Sequence, residues 1–143
     1  MKRFVKCLCL VLALSLCLAL PAAAAEETAP YASNFFGSRD AFLHQTSSTS
    51  FQAWFEVTAL RGMAELGAQY IDIERSSDGV NWYVVKTYDR SSYSNLIKYN
   101  TGDHCSYVTF TGMESGYQYR MYVRLWAKDS NGNTGASGMY GYF

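Results

Sequence analysis

Set the first 25 residues aside and the 143-residue sequence retains one cysteine, one proline and no stretch of helical periodicity of useful length. Cys7, Cys9 and Cys17 fall in that opening segment, which leaves Cys105 alone and excludes an internal disulfide. A domain of roughly 118 residues without a staple is then held by its apolar core. Basic charge is also scarce. The whole sequence balances 12 basic against 12 acidic residues, but Lys2, Arg3 and Lys6 belong to the opening segment, so the remainder carries a net charge of −3. Electrostatic binding to nucleic acid or to an anionic membrane loses its basis. Aromatics are plentiful instead: 22 of the 23 lie beyond residue 25, which rules out disorder.

The opening segment reads as a secretory signal. Residues 1–6 carry three positive charges, residues 7–20 are apolar except for Ser15, and Pro21 precedes four alanines, the order of an n-region, an h-region and a small-residue cleavage site. Fourteen residues span about 21 Å as a helix, short of the hydrocarbon core of about 30 Å, so a stable membrane anchor is not expected. Leu16 directly before Cys17 is a poor lipoprotein site, and the sequence ends at Tyr142 and Phe143 with no hydrophobic tail or wall-sorting motif. The expectation is cleavage near Ala25 and free secretion, with residues 26–34 a loose leader and residues 35–143 one domain.

That domain reads as all-β. Phe51, Ala53, Phe55, Val57 and Ala59 alternate with Gln52, Trp54, Glu56 and Thr58, the period of a half-buried strand. Ile71 and Ile73 continue the pattern, Asp78-Gly79 marks a hairpin, and Trp82 to Val85 resumes it. A block at residues 106–113, a clean alternation through Tyr119, Met121, Val123, Leu125 and Ala127, an Asn131-Gly132 turn and a last strand at residues 136–143 complete the list. Six or seven short strands predict an antiparallel β-sandwich, with residues 61–67 and 90–103 as its long loops and one helical turn allowed at 62–66 and at 95–99.

From Val108 through Gly112, Met113, Gly116 and Tyr119 to Val123 the sequence resembles the E to F region of fibronectin type III domains, and Ile71 to Trp82 resembles the C to C′ hairpin of bacterial fibronectin-type modules. The resemblance implies a fibronectin type III-like, immunoglobulin-like sandwich. In it Met113 is the apolar anchor, Gly116 the turn glycine, and Tyr119 the corner whose hydroxyl bonds back to the upstream main chain. The lengths also resemble small secreted bacterial proteins of unknown function. A fold of this kind carries no activity with it.

Chemistry is thinly represented. Asp103, His104 and Cys105 place a thiol beside a base, but adjacent strand residues point to opposite faces, and Cys105 takes the outward parity as a free thiol. His44, His104 and Cys105 lack the paired spacing of a zinc site, so no metal or cofactor is expected. Residues 76–82 fall one residue short of the Asp-box of sialidase propellers and read as a hairpin turn with Trp82 packed behind it. Asp72 and Glu74, two apart on one face, are expected opposite Arg120 and Arg124 as cross-strand ion pairs rather than as a glycosidase pair. No enzyme is expected. The stronger lead is an outward aromatic face of Tyr70, Tyr122 and Trp126, bordered by Arg124 and Asp72 and extended by Tyr140 and Tyr142. It suits an extracellular glycan or protein, or else simply covers the sheet by cross-strand packing. The rival readings are a small hydrolase, lacking an assembled nucleophile, base and oxyanion donor, and a structural protein that self-associates as a homodimer through Cys105 or through the edge of its terminal strand.

Overall fold

The computed structural model describes residues 34–143; the expected signal and all of the leader except Asn34 lie outside them. The described chain is all-β. Its strands are β1 (Phe36–Ser47), β2 (Ser50–Ser76), β3 (Tyr83–Asp89), β4 (Ile97–Thr111), β5 (Gln118–Lys128) and β6 (Thr134–Gly141), with a 3-10 turn at Ser94–Leu96. All six join one antiparallel sheet curled into a half-barrel.

β2 organises the sheet. One of its edges takes β1 along residues 50–59 and then β5 along residues 65–76. The other takes β4 along residues 50–67 and then β3 along residues 70–75. β6 pairs with β5, and its end returns to β1, where the Leu43 N–H donates to the Tyr142 carbonyl at 2.8 Å beside a parallel bridge between Phe42 and Tyr142. The curl turns the inward side chains of both halves of β2 onto one core, in which Phe51, Phe55, Ile71, Ile73, Met121, Val123 and Leu125 are buried outright. Each such side chain contributes about 1.5–3 kcal/mol by leaving water.

The expected loop at residues 61–67 is strand instead: these residues continue β2, so its two halves form one uninterrupted element. Likewise, residues 97–103 belong to β4, and only Ser94–Leu96 turns helically. Two glycines let the curl close. Gly67 has φ +153°, and a Cβ there would collide with the Leu96 carbonyl; a Cβ on Gly141 would lie 2.7 Å from the Ala41 carbonyl carbon and oxygen. Only glycine permits backbone approach this close.

Side chains finish the turns and one edge. The Asp78 carboxylate accepts from the main-chain N–H groups of Val80 and Asn81, from the Asn81 amide and from the Ser76 hydroxyl, which together hold it far below the usual carboxylate range. Trp82 packs over that turn and donates its indole N–H to the Gly79 carbonyl at 3.2 Å. On the outer edge of β4, the Tyr88 hydroxyl donates to the Thr109 carbonyl at 2.8 Å and the Asn95 amide to the Tyr107 carbonyl at 2.8 Å. Edge carbonyls occupied in this way are poor templates for another strand.

Candidate functional site

The outward row of β5 is Arg120, Tyr122, Arg124 and Trp126. Across it stand Glu74, Asp72 and Tyr70 from β2, and Tyr140, Gly138 and Ala136 from β6. A register shift lies between Ala68 and Tyr70, and Arg124 stands opposite Tyr70. The expected ion pairing of Asp72 with an arginine does not form: with Glu74 opposite Arg120 the antiparallel register sets Asp72 opposite Tyr122, and Asp72 accepts from the Thr87 hydroxyl of β3. Glu74 does face Arg120 and accepts from its Nε at 2.6 Å.

The rings on this face are held by charged neighbours. The Arg120 guanidinium lies 4.3 Å from the Trp82 ring centre and 4.2 Å from that of Tyr140. Trp126 donates its indole N–H to Glu65 at 3.1 Å and carries the Arg90 guanidinium 5.0 Å over its ring; Arg90 and Lys128 in turn reach the same carboxylate at 3.3 and 3.5 Å. Desolvation pushes the Glu65 carboxyl up, but the indole bond, Lys128 and Arg90 outweigh it and hold the group below its usual range. Tyr122 sits between Tyr70, at 6.2 Å, and Tyr140, at 5.1 Å, and its hydroxyl lies over Gly138, where a Cβ would collide with it. Burial and neighbouring negative charge raise the phenols of Tyr70 and Tyr140.

Arg124 differs. Among the described residues Arg39 bonds Ser137, and Arg61, Arg75, Arg90 and Arg120 pair with Asp129, Glu114, Glu65 and Glu74. Arg124 has no such partner. It is half-buried at the centre of the face, opposite Tyr70 of β2 on one side and Gly138 of β6, covered by the Tyr122 hydroxyl, on the other.

Tyr119 is buried against Phe51 and Phe110, each 5.8 Å away between ring centres. Its hydroxyl accepts the Glu114 N–H at 2.9 Å, Met113 packs partly buried against the core, and Gly116 turns the chain at φ +85°. His104 and Cys105 diverge. The imidazole turns in against Phe55 and bonds the Asn95 carbonyl at 2.8 Å through Nε2, so that nitrogen carries the proton; burial lowers its basicity. Cys105 is exposed on the outer face, 3.6 Å from Glu56, and burial together with that carboxylate raises the thiol, which works against a reactive thiolate. Among the described residues no group of three His, Cys, Asp or Glu side chains could hold a metal ion.

The sequence reading missed a second set of rings. On the outer face of β1, β2 and β4, Phe42 and Trp54 are parallel to within 3° at 6.2 Å, and Trp54 and Tyr107 lie 4.4 Å apart. Register aligns all three, since Phe42 and Tyr107 both stand opposite Trp54, and strand parity already pointed Trp54 outward. Compared with known protein families, with curated proteins and with solved structures, the chain matches none.

Proposed function

We propose that the chain is an exported, non-enzymatic binding module on a fibronectin type III-like sandwich, and that the face of Tyr70, Tyr122, Arg124 and Trp126 takes an acidic group of an extracellular glycan. Export rests on the charge and hydropathy pattern of residues 1–25. For the sandwich, the strand neighbours are the support. The first half of β2 groups with β1 and β4, the second half with β3, β5 and β6, and the resembling segments fall on the β2–β3 hairpin and the β4–β5 connection. Counted as two strands, β2 supplies the seven that such sandwiches use.

The observation that carries the binding reading is Arg124, a guanidinium with no acidic partner among the described residues, set among tyrosines that offer hydroxyls and ring faces. An arginine fork matches a carboxylate or sulfate, and its bonds to an anion are stronger than neutral ones. Native gel electrophoresis through polygalacturonate or heparin tests it. The full-length protein is retarded relative to a dextran gel, and Arg124→Gln abolishes the retardation; equal retardation of the variant overturns the reading.

A second reading, self-association, is favoured by β3. This strand pairs only with β2, and Tyr83 and Val84 on it are 67% and 54% exposed. The terminal strand is the poorer edge, since Tyr142 already bonds β1. Sedimentation at rising concentration separates the readings: Val84→Lys removes a β3 dimer and leaves glycan retardation intact.

A further inference from the structure

A depression of about 450 Å³ opens at one end of the sheet, lined by Gln45 of β1, Trp82 of the β2–β3 turn, Met113, Tyr117, Gln118 and Tyr119 around the β4–β5 connection, and Tyr142 and Phe143 after β6. We infer that this depression is a second binding site, separate from the Arg124 face, and that its ligand is an uncharged sugar chain.

None of the lining side chains is charged, which favours a neutral ligand. Four of them are exposed or half-buried aromatic rings, Trp82, Tyr117, Tyr142 and Phe143, and a pyranose stacks its C–H face on such rings. Two are carboxamides, groups that both donate and accept as sugar hydroxyls do. Ser47 takes the Gln45 amide nitrogen through its carbonyl at 2.9 Å, which leaves the Gln45 oxygen to accept. Gln118 rests its carboxamide against Gly79.

The two rings nearest the turns are set in place before any ligand arrives. Trp82 is tied by its indole to Gly79 and covered by Arg120, which Glu74 holds. The Arg75 guanidinium lies 4.5 Å from the Tyr117 ring centre and is held by Glu114. Neither arginine lines the depression. Rings fixed beforehand lose little freedom on binding, and a volume of this order is that of a small-molecule cleft. The larger hollow at the opposite end, between Phe35, Leu60, Arg61 and residues 132–134, lacks this set of rings.

Titration of the ¹⁵N-labelled full-length protein with maltohexaose, cellohexaose, xylohexaose and chitohexaose is the test. At least one of the four shifts the Trp82 indole and the Gln45 and Gln118 amide resonances. Tyr117→Ala, a surface change, weakens that ligand about tenfold, as the loss of one stacked ring requires, and Gln118→Ala weakens it too, while Trp54→Ala and Arg124→Gln leave it unchanged. The inference is overturned if none of the four moves these signals at millimolar concentration, if Tyr117→Ala binds as the parent does, or if a proline-rich peptide moves them and the sugars do not.

Discussion

On the face carried by β1, the first half of β2 and β4, Phe42, Trp54 and Tyr107 lie against one another, and no cation covers Trp54 among the described residues. On the face carried by β3, the second half of β2, β5 and β6, Trp82 and Trp126 each lie under an arginine that a glutamate holds. Phe42 and Trp54 are parallel but offset, and Trp54 and Tyr107 are tilted. A ring clamped by a cation from one side keeps its other side and is fixed in place, which is the arrangement the proposed binding face rests on. The two meet at Gly67, which pairs with Ile97 of β4 on one side and Trp126 of β5 on the other.

The largest expected effect lies at that meeting point. Gly67→Ala sets a Cβ against the Leu96 carbonyl at a positive φ and costs more than about 3 kcal/mol. Gly62→Ala, five residues earlier in the same strand, meets nothing within 4 Å and changes stability by less than about 0.5 kcal/mol. Denaturant midpoints compare them directly, and similar losses from both would mean that the halves are not joined through a tight contact at Gly67.

Next come the tryptophans. Trp54→Ala removes two stacked pairs and costs about 1–3 kcal/mol; Trp126→Ala removes a bond to a carboxylate and a cation over the ring, for about 1–2 kcal/mol. Added salt shrinks the second loss and leaves the first alone, because ionic screening acts on charges and not on stacking. Equal salt dependence in the two variants would erase the distinction between the faces.

Acid sharpens it further. Glu65 ionises in the folded protein below its usual range, so its contribution is fully present above the ordinary carboxylate pKa and is lost as the pH falls through the lower folded value. Glu65→Gln therefore flattens the acid limb of the stability profile, and the cost of Trp126→Ala falls along that limb while that of Trp54→Ala stays level. The smallest effect belongs to Arg124: without a partner to lose, Arg124→Gln changes the thermal midpoint by less than the equivalent of about 0.5 kcal/mol.

Period-2 alternation made β5 legible, since every second residue from Tyr119 to Ala127 is buried. Residues 61–67 were not legible as strand. Arg61, Gly62, Glu65 and Gly67 read as loop chemistry, and what keeps the segment extended is the pairing of Met63 to Gly67 with β4 and of Glu65 to Gly67 with β5, whose partners lie 30 or more residues away. Parity placed Tyr70, Tyr122, Arg124 and Trp126 on one side, but only the register shows that Glu74 takes Arg120, so that Asp72 falls opposite Tyr122 and Arg124 opposite Tyr70. The cover over Trp126 comes from outside that pattern: Arg90 follows β3, and its approach depends on the sheet closing first. The depression at the turns was equally hidden, because its rings come from the β2–β3 turn, the β4–β5 connection and the residues after β6, which only topology gathers.

The reach of β2 also fixes an order of events. It is partner to four of the other five strands, yet only β1 and β3 are its neighbours in sequence; its middle stays half-paired until residues 97–101 and 126–128 have been synthesised. Contacts this distant make assembly slow and leave no early fragment with a finished core. A chain with that property remains loose while most of it is being made, and it hardens only when its last strands arrive.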